Sequence, residues 1–211
     1  MAKGQLVKEI DALGGEMAKI TDKTAISFRT LNTKKGPAVH SSRTQNDKIR
    51  YHTAMKAVVE SQSNLDLKQA MAERLVVEGN HVAGVEDYTG FGYQAPAVVL
   101  ATGTFLSGLI HIGFNSFRAG RAGEFASYGL AADLKRLGFS LGRMKTGTPP
   151  RLHRASIDFN QFALQENEET PTMFSSFSKN PFPFGFFVEL LRGLHQIQLR
   201  NIIQMFFNLI N

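Results

Sequence analysis

Cysteine is absent from the 211 residues of this chain, and so is tryptophan. Without cysteine the chain itself forms no disulfide, zinc ribbon, iron–sulfur cluster or catalytic thiol. The six histidines have none of the spacings typical of a metal site. No Ser, His and Asp arrangement can be recognised from the local sequence. The sequence therefore gives no positive support for a metal site or for hydrolytic catalysis.

Long apolar runs are absent as well, since no stretch of about 18 uncharged apolar residues occurs. The first residues, Met1 to Glu9, carry charges where a secretory signal needs an apolar core. We therefore expect a soluble, intracellular, cytoplasmic protein with no membrane association.

The composition is that of a globular protein, with 43% hydrophobic and 20% charged residues. A formal charge of +6 and a pI near 9.7 favour an anionic partner, nucleic acid first. A mildly basic balance also occurs in proteins that bind no nucleic acid, so the charge permits this function without establishing it.

Helical and strand patterns alternate along the chain, which predicts an α/β fold. The run from Pro96 to Thr104 is uninterrupted and apolar, as in a buried parallel strand whose C-terminal end faces a ligand. Helices are predicted for Leu6 to Met17 with a break at Gly14-Gly15, for Asp47 to Glu60 and for Leu130 to Leu137, closed by Gly138. Further strands are predicted for Ile26 to Leu31, Leu65 to Leu67, Arg74 to Glu78, His81 to Asp87, Leu109 to Gly113 and Phe139 to Met144, and the stretch from Asn32 to Ser42 is predicted to be a loop.

The run from Leu141 to Arg151 combines cations, glycines, hydroxyls and a proline pair. Arg143, Lys145 and Arg151 supply positive charge, and the Thr-Gly-Thr turn between them lets a backbone approach a phosphate closely. An ordinary basic turn explains the same residues equally well. Anion recognition and a plain turn therefore both stay open for this run.

A second glycine-rich run, Gly120-Arg121-Ala122-Gly123-Glu124, is followed by Ser127 just before a predicted helix. Glycines beside a helix start make backbone amides available to an anion, and Arg121 could pair with that anion. A plain capped helix start is the competing interpretation.

Two other patterns favour structural interpretations. The run Gly90 to Ala95 has the spacing of a dinucleotide fingerprint, but it lacks a preceding strand and a following helix, so we interpret it as a hairpin turn. Cations also cluster early in the chain, where a phosphate-contacting patch competes with a solvated surface. The solvated surface is favoured because no aromatic platform accompanies Lys34, Lys35, Arg43, Lys48 and Arg50.

Taken in order, several runs resemble the family of FAD-binding tRNA uridine 5-carboxymethylaminomethyl modification enzymes, called MnmG or GidA. They cover most of residues 1 to 159. The matching runs are Lys3-Gly4 with Leu6 to Gly15; Leu31-Asn32 with Lys35 to Val39; Arg43, Gln45 and Asp47; Thr102 to Leu106 with Gly108 and Ile110 to Gly113; Gly120 to Gly123; and Gly142-Arg143 with Lys145 to Arg151.

The resemblance implies a flavoenzyme that modifies the wobble uridine of tRNA together with the GTPase MnmE, as a homodimer, using FAD, NADH and methylene-tetrahydrofolate. It implies that Ala72 meets the adenine side of FAD and that Ser127 contacts the flavin nucleotide. Thr102, Gly103 and Thr104 would lie along the cofactor, with Gly120, Arg121 and Gly123 beside it. Lys145 and Arg151 would contact tRNA or nicotinamide-nucleotide phosphates. No catalytic residue is assigned.

The departures from the family imply a fragment truncated at both ends. The strand, G-x-G-x-x-G turn and helix that grip the FAD pyrophosphate have no counterpart here, the family's cysteine-containing stretches are missing, and Gln5 replaces a usual His. We expect a partial FAD-binding, two-dinucleotide-binding Rossmann-like domain at 1–113, the start of a smaller mixed α/β insertion at 114–180 and an atypical tail at 181–211. A shifted reading frame would explain residues 186–211. Such a fragment would be inactive alone, or would be an RNA-binding module with a basic surface.

Overall fold

The structure is a computed structural model that describes residues 3–121, 123–147, 152–163, 168 and 172–178. The predicted atypical tail at 181–211 lies outside the described residues. So do Thr148, Pro149, Pro150 and Arg151 at the end of the Thr-Gly-Thr run. None of the helices in the described ranges has the length and apolar character needed to cross a bilayer.

Helices and strands alternate along the chain, as the sequence predicts. The helices are α1 (Lys3–Ala12), α2 (Met17–Thr24), α3 (Lys48–Ser61) and α4 (Gly129–Arg136). The strands are β1 (Ala25–Leu31), β2 (Ser41–Asn46), β3 (Ala72–Glu78), β4 (His81–Asp87), β5 (Gly92–Gln94), β6 (Leu109–Ile112) and β7 (Asn115–Arg118). Short 3₁₀ helices span Pro37–Val39, Arg154–Ser156 and Phe159–Gln161.

The chain divides into two compact units, Met1–Leu67 with Thr148–Asn211, and Lys68–Gly147. In the first unit α2 packs against α1 and α3, and β1 pairs with β2 in an antiparallel ribbon. The largest fully buried side chains of this unit are Ile20 and Phe28. Asp47 begins α3 as its N-cap, because its carboxylate accepts hydrogen bonds from the amides of Ile49 and Arg50.

Two buried aspartates hold the segment 172–178 against the helices of the first unit. The Asp22 carboxylate accepts hydrogen bonds from the amides of Phe174 and Ser175, both at 2.9 Å. Asp11 accepts the Ser176 amide at 2.9 Å and its hydroxyl at 3.1 Å. We call Asp11, Asp22 and residues 174–176 the aspartate clasp. The amides of Phe174 and Ser175 gain a charged acceptor at buried positions, whereas Ser176 is exposed.

In the second unit β3, β4 and β5 form an antiparallel sheet, and β6 and β7 form a hairpin. Helix α4 packs on β3 through Leu130, Ala131 and Leu134, which are buried. Asp133 reinforces this packing, because its Oδ2 accepts the Leu75 amide at 2.9 Å while its Oδ1 accepts Arg136 Nε at 2.8 Å. The helix ends before Gly138, whose φ of +89° suits glycine, as predicted.

Three predicted strands are wrong. Residues 96–104 form no strand, and Val99 is 91% exposed. A parallel strand needs neighbours for its hydrogen bonds and apolar covering, and no described strand pairs with this run. Residues 139–144 and 65–67 are likewise irregular, since apolar character alone supplies no ladder partner.

Candidate nucleotide site

Ala72 and Ser127, 55 residues apart in sequence, meet in the second unit. The Ser127 hydroxyl donates a hydrogen bond of 2.9 Å to the Ala72 carbonyl. Ser127 is buried, and Ala72 is the first residue of β3. The structure therefore brings together the two residues to which the resemblance assigns nucleotide contacts.

Backbone hydrogen bonds link Ser127 to the segment that follows the predicted cofactor turn. Its amide donates to the Phe105 carbonyl at 2.9 Å, and its carbonyl accepts the Ser107 amide at 2.9 Å. These two bonds make an isolated parallel bridge between Leu106 and Ser127. Ser127 is thus fixed by three hydrogen bonds, one of which uses its side chain.

The turn at Thr102, Gly103 and Thr104 lies directly before this bridge. Gly103 has a φ of +54°, and an added Cβ would meet nothing within 4 Å, so the backbone is open on that side. The Thr104 hydroxyl donates to the Gly120 carbonyl at 2.7 Å. The first predicted glycine-and-hydroxyl turn is therefore tied to the second predicted glycine run.

Gly120, Arg121 and Gly123 form a tight turn closed by a hydrogen bond of 2.9 Å from the Glu124 amide to the Arg121 carbonyl. A Cβ on Gly120 would lie 2.2 Å from the Phe105 ring, so glycine is required for this close approach. Gly123 has a φ of +81° and open space beside it. The Arg121 guanidinium is exposed and forms an ion pair with the Glu124 carboxylate.

The start of α4 adds a residue that the sequence analysis missed. A Cβ on Gly129 would lie 1.7 Å from Glu73 Oε1, so the Glu73 carboxylate occupies the space that a side chain at Gly129 would take. A carboxylate near a helix N-terminus is favoured by the helix dipole. No local pattern could have paired these residues, because they lie far apart in sequence.

Tyr128 and Arg118 border the same region. The Tyr128 hydroxyl donates to the Gly108 carbonyl at 2.8 Å, and the Arg118 guanidinium carbon lies 4.8 Å from the centroid of the Tyr128 ring. This is a cation–π contact, which holds the Arg118 side chain over the aromatic face.

The predicted phosphate-contacting run is only partly described. Arg143 donates a hydrogen bond of 2.9 Å to the Ser107 carbonyl and so joins this run to the turn of the candidate site. Lys145 is exposed in an irregular stretch. Arg151 lies outside the described residues.

The hairpin interpretation of the run at Gly90 is confirmed. Asp87 Oδ1 accepts the amides of Thr89 and Phe91, at 2.9 and 3.2 Å, and Oδ2 accepts the Tyr93 hydroxyl at 3.2 Å. A hydrogen bond from the Thr89 hydroxyl is the main cause that lowers the pKa of Asp87, against burial, which raises it. The amides of Thr89 and Phe91 therefore donate to Asp87, and the turn lies between β4 and β5.

The donors and open faces of the site suit part of a dinucleotide. Hydroxyls, backbone amides and two glycines with open sides are the groups that approach ribose and phosphate closely. The cation Arg121 is already compensated by Glu124, so an arriving phosphate would have to displace that carboxylate. Ser127 and Ala72 bind each other, and a ligand would share or replace that hydrogen bond.

Comparison with known proteins identifies related chains over most of this length. A sequence model of the family described as glucose inhibited division protein A matches residues 1–196. The tRNA uridine 5-carboxymethylaminomethyl modification enzyme MnmG of Syntrophobacter fumaroxidans is 65% identical over 178 residues, which cover 84% of this chain and 28% of the relative. The enzyme of the same name from Thermodesulfovibrio yellowstonii is 49% identical over 205 residues, 96% of this chain and 33% of the relative.

The solved structure of Aquifex aeolicus GidA in its form II crystal aligns with a TM-score of 0.77 and 47% identity, over 84% of this chain and 29% of that chain. This likeness confirms the predicted mixed α/β, Rossmann-like fold class, and the family match confirms the resemblance. The chain spans about 28% of the length of the first of these curated relatives. The predicted domain boundaries and the frame-shift hypothesis stay predictions, and the family match itself runs past residue 186.

Proposed function

This chain belongs to the glucose inhibited division protein A family, and from that membership we propose that it is part of an FAD-dependent enzyme that modifies the wobble uridine of tRNA. The relatives named above carry the name of that activity. The chain spans only part of their length, so the activity belongs to the proposal.

The observation that carries the proposal is the meeting of Ala72 with Ser127 beside the Thr102–Thr104 turn. These residues are far apart in sequence, and the resemblance assigned each of them to the cofactor by its position. Hydrogen bonds now connect all of them through Gly120 and Phe105. A shared location is what a common ligand requires.

In this proposal Ala72, Ser127 and the open backbone at Gly103 and Gly123 hold the nucleotide part of FAD. The flavin, when bound, supplies the redox chemistry of carbon transfer. The chain's residues bind and orient it: Ser127 by its hydroxyl, and the two glycines by letting backbone come close. NADH, methylene-tetrahydrofolate, the GTPase MnmE and a homodimeric state complete the proposal, as the resemblance implies.

A second candidate function is a catalytically silent RNA-binding module formed by the 211 residues alone. It is favoured by the charge, because residues 29–50 contain six cations and one carboxylate, a formal +5 against +6 for the whole chain. Phosphate binding requires such a concentration of charge, whereas flavin chemistry does not. In this case the chain binds RNA and has no activity by itself.

A chimera tests the proposed enzyme function. The 178 aligned residues of the Syntrophobacter fumaroxidans relative would be replaced by those of this chain and expressed in bacteria lacking their own enzyme. We expect tRNA from these cells to contain the modified wobble uridine, measured by mass spectrometry of nucleosides. A matched chimera carrying Ser127→Ala reports on the site. A folded chimera that binds flavin but leaves the uridine unmodified would contradict the proposed enzyme function.

A further inference from the structure

We propose that the β1–β2 ribbon and its connecting loop form a surface that binds the phosphate backbone of RNA, with Arg29 and Arg43 at its centre. This proposal rests on the proposed function for the identity of the polyanion. Its physical basis is a like-charge pair that the fold places side by side.

Arg29 and Arg43 are direct cross-strand partners in the antiparallel register. Partners of this kind share one face of a ribbon, with Cβ atoms about 5 Å apart, and like charges directly opposite each other are destabilising. The adjacent pair, Phe28 opposite Thr44, lies on the other face, where Phe28 is 2% exposed. The arginines therefore project from the face opposite the core.

No described ion pair compensates this charge. The ion pairs of the described residues involve neither Arg29 nor Arg43. Of the described carboxylates beside the ribbon, Glu168 accepts the Thr30 amide through Oε1 at 2.5 Å and Asp47 caps α3 through Oδ1, and neither forms an ion pair with Arg29 or Arg43. Two guanidinium groups side by side, with no ion pair to either of them among the described residues, are a cost to the folded protein that an external anion reduces.

The loop that joins the strands extends the same charge and is fixed by its own hydrogen bonds. The Lys35 amide donates to the Asn32 carbonyl at 2.9 Å, and the Asn32 side chain donates to the Val39 carbonyl at 3.0 Å. His40 contacts the Lys35 carbonyl at 3.1 Å through Nε2. Lys34 and Lys35 are both exposed. The loop thus presents two lysines at the end of the arginine-bearing ribbon.

This arrangement fits a chain of phosphates better than one phosphate. Strand residues advance about 3.3 Å each, so the cations from Arg29 to the loop are spread over more than 10 Å. A single phosphate would reach one end of that span, whereas a nucleic acid backbone offers charge along all of it. The pairing of Arg29 with Arg43 cannot be found in the local sequence, because it depends on the strand register.

The test measures binding of an unmodified, fluorescently labelled tRNA transcript to the full 211-residue chain by anisotropy, at about 50 and 200 mM salt. We expect the double variant Arg29→Gln, Arg43→Gln to bind about tenfold more weakly at low salt. The slope of log affinity against log salt should shrink by about 1.5, as expected for two lost phosphate contacts. The charge-keeping double variant Arg29→Lys, Arg43→Lys should retain most of the affinity and the slope.

A matched control, Lys8→Gln with Lys135→Gln, removes the same net charge from exposed helix positions. It should change the affinity by less than about twofold, because separated surface charges are screened. Thermal unfolding separates binding from folding: the Arg→Gln pair should melt at the same temperature as the parent or higher, since a repulsion is removed.

Equal tRNA affinity in the Arg→Gln pair and the parent would overturn this inference, as would a parent that binds no tRNA at low salt. Failure of the proposed function gives a different result, because the chimera would then leave uridine unmodified while the Arg→Gln pair still loses tRNA binding. A chimera that modifies tRNA, combined with unchanged binding by the Arg→Gln pair, would reject only this surface.

Discussion

Ser127 illustrates how one residue joins three segments of this protein. Its backbone bridges to residues 105–107 while its side chain holds Ala72 at the start of β3. Local sequence indicates only a hydroxyl before a helix, which is typical of a cap. The resemblance assigned Ser127 to a nucleotide, and the structure adds a protein partner at the same atom. The side chain is therefore a structural contact even before any ligand is considered.

Replacement of Ser127 by Ala tests that contact. We expect a loss of about 1 kcal/mol in the free energy of unfolding, because the Ala72 carbonyl loses its hydroxyl donor while the backbone bridge is kept. Urea denaturation followed by circular dichroism would measure it. Ser116→Ala, at an exposed position on β7, is the matched control and should change little. Equal stability of the two variants would show that the hydroxyl contact contributes nothing.

Gly120 is a second residue with a structural role, because the Phe105 ring leaves no room for a side chain there. A methyl group there would meet the Phe105 ring at 2.2 Å, so Gly120→Ala should lower the free energy of unfolding by about 1–3 kcal/mol through overpacking. Gly142→Ala is the control, because nothing lies within 4 Å of its added Cβ. Thermal melts of both variants would check this, and a shift as small as that of the control would contradict it.

At the scale of elements, the sequence predicted what is encoded locally. The break at Gly14-Gly15, the helix predicted for Asp47 to Glu60 and the strands predicted for Arg74 to Glu78 and His81 to Asp87 are short-range features, and all of them are confirmed. Strand β2 was missed because Ser41–Asn46 is entirely polar and is a strand through its pairing with β1. The run at 96–104 is the reverse case: it is strongly apolar, but no described strand pairs with it. Ladder pairing, which local sequence does not encode, decides both cases.

The aspartate clasp shows that local sequence also fails to reveal which distant groups a polar side chain contacts. Asp22 lies in α2, and its amide partners lie more than 150 residues away, so no spacing rule could find it. Within the candidate site only the resemblance pointed to Ala72, the glycine run before the predicted helix also drew attention to Ser127, and nothing pointed to Glu73. Sequence patterns therefore do not determine the long-range hydrogen-bond partners of single polar side chains.

The clasp predicts a large effect from a single change in α2. Asp22→Ala removes the acceptor of two buried amides, and we expect the first unit to lose roughly 3 kcal/mol of stability. Asp22→Asn keeps one acceptor oxygen and should lose less. Chemical denaturation would measure the stability of both variants, and Glu9→Ala, at an exposed position of α1, is the control. A loss no greater than the control's would mean that segment 172–178 is held by other contacts.

Asp11 makes the clasp sensitive to acid. Burial raises the pKa of this carboxyl, but hydrogen bonds from Ser175 and Ser176 and the charge of Lys19 together bring its pKa below the ordinary value. A group whose pKa is lowered by folding stabilises the folded state above its unfolded pKa of about 3.9, and that stabilisation is lost as the pH falls through the folded pKa.

We therefore expect the free energy of unfolding to decrease from about pH 5 downward, with part of the decrease due to Asp11. Asp11→Asn cannot titrate, so its stability should be lower at neutral pH and should depend less on pH in the acid range. Denaturant titrations at a series of pH values would measure the two slopes. Identical slopes for the variant and the parent would remove Asp11 from the explanation.

For the whole molecule, charge and apolar exposure are distributed unevenly. A formal +5 of the chain's +6 lies in residues 29–50, in the first unit. In the second unit, Leu75, Val82, Leu100, Leu134 and Phe139 are among the residues lining an apolar groove of about 390 Å³. The predicted polyanion surface and the predicted cofactor residues therefore belong to different units.

Flavin binding by the 211 residues depends on which parts of the cofactor they contact. The pyrophosphate of a dinucleotide is normally held where a strand, a G-x-G-x-x-G turn and a helix meet. The run of that spacing here, Gly90 to Ala95, is a turn whose amides serve Asp87. Ser127, Ala72 and the Gly103 turn offer contacts to the rest of the nucleotide, and the compensated Arg121 adds little attraction for phosphate.

We expect the purified 211-residue chain to be colourless, without the visible absorption band of a flavin, and to bind added FAD only weakly in calorimetry. The chimera described above should be yellow under the same conditions, and Ser127→Ala should weaken its flavin binding while Ser116→Ala does not. A yellow 211-residue chain would mean that these residues hold the cofactor unaided, through contacts other than the pyrophosphate-binding turn.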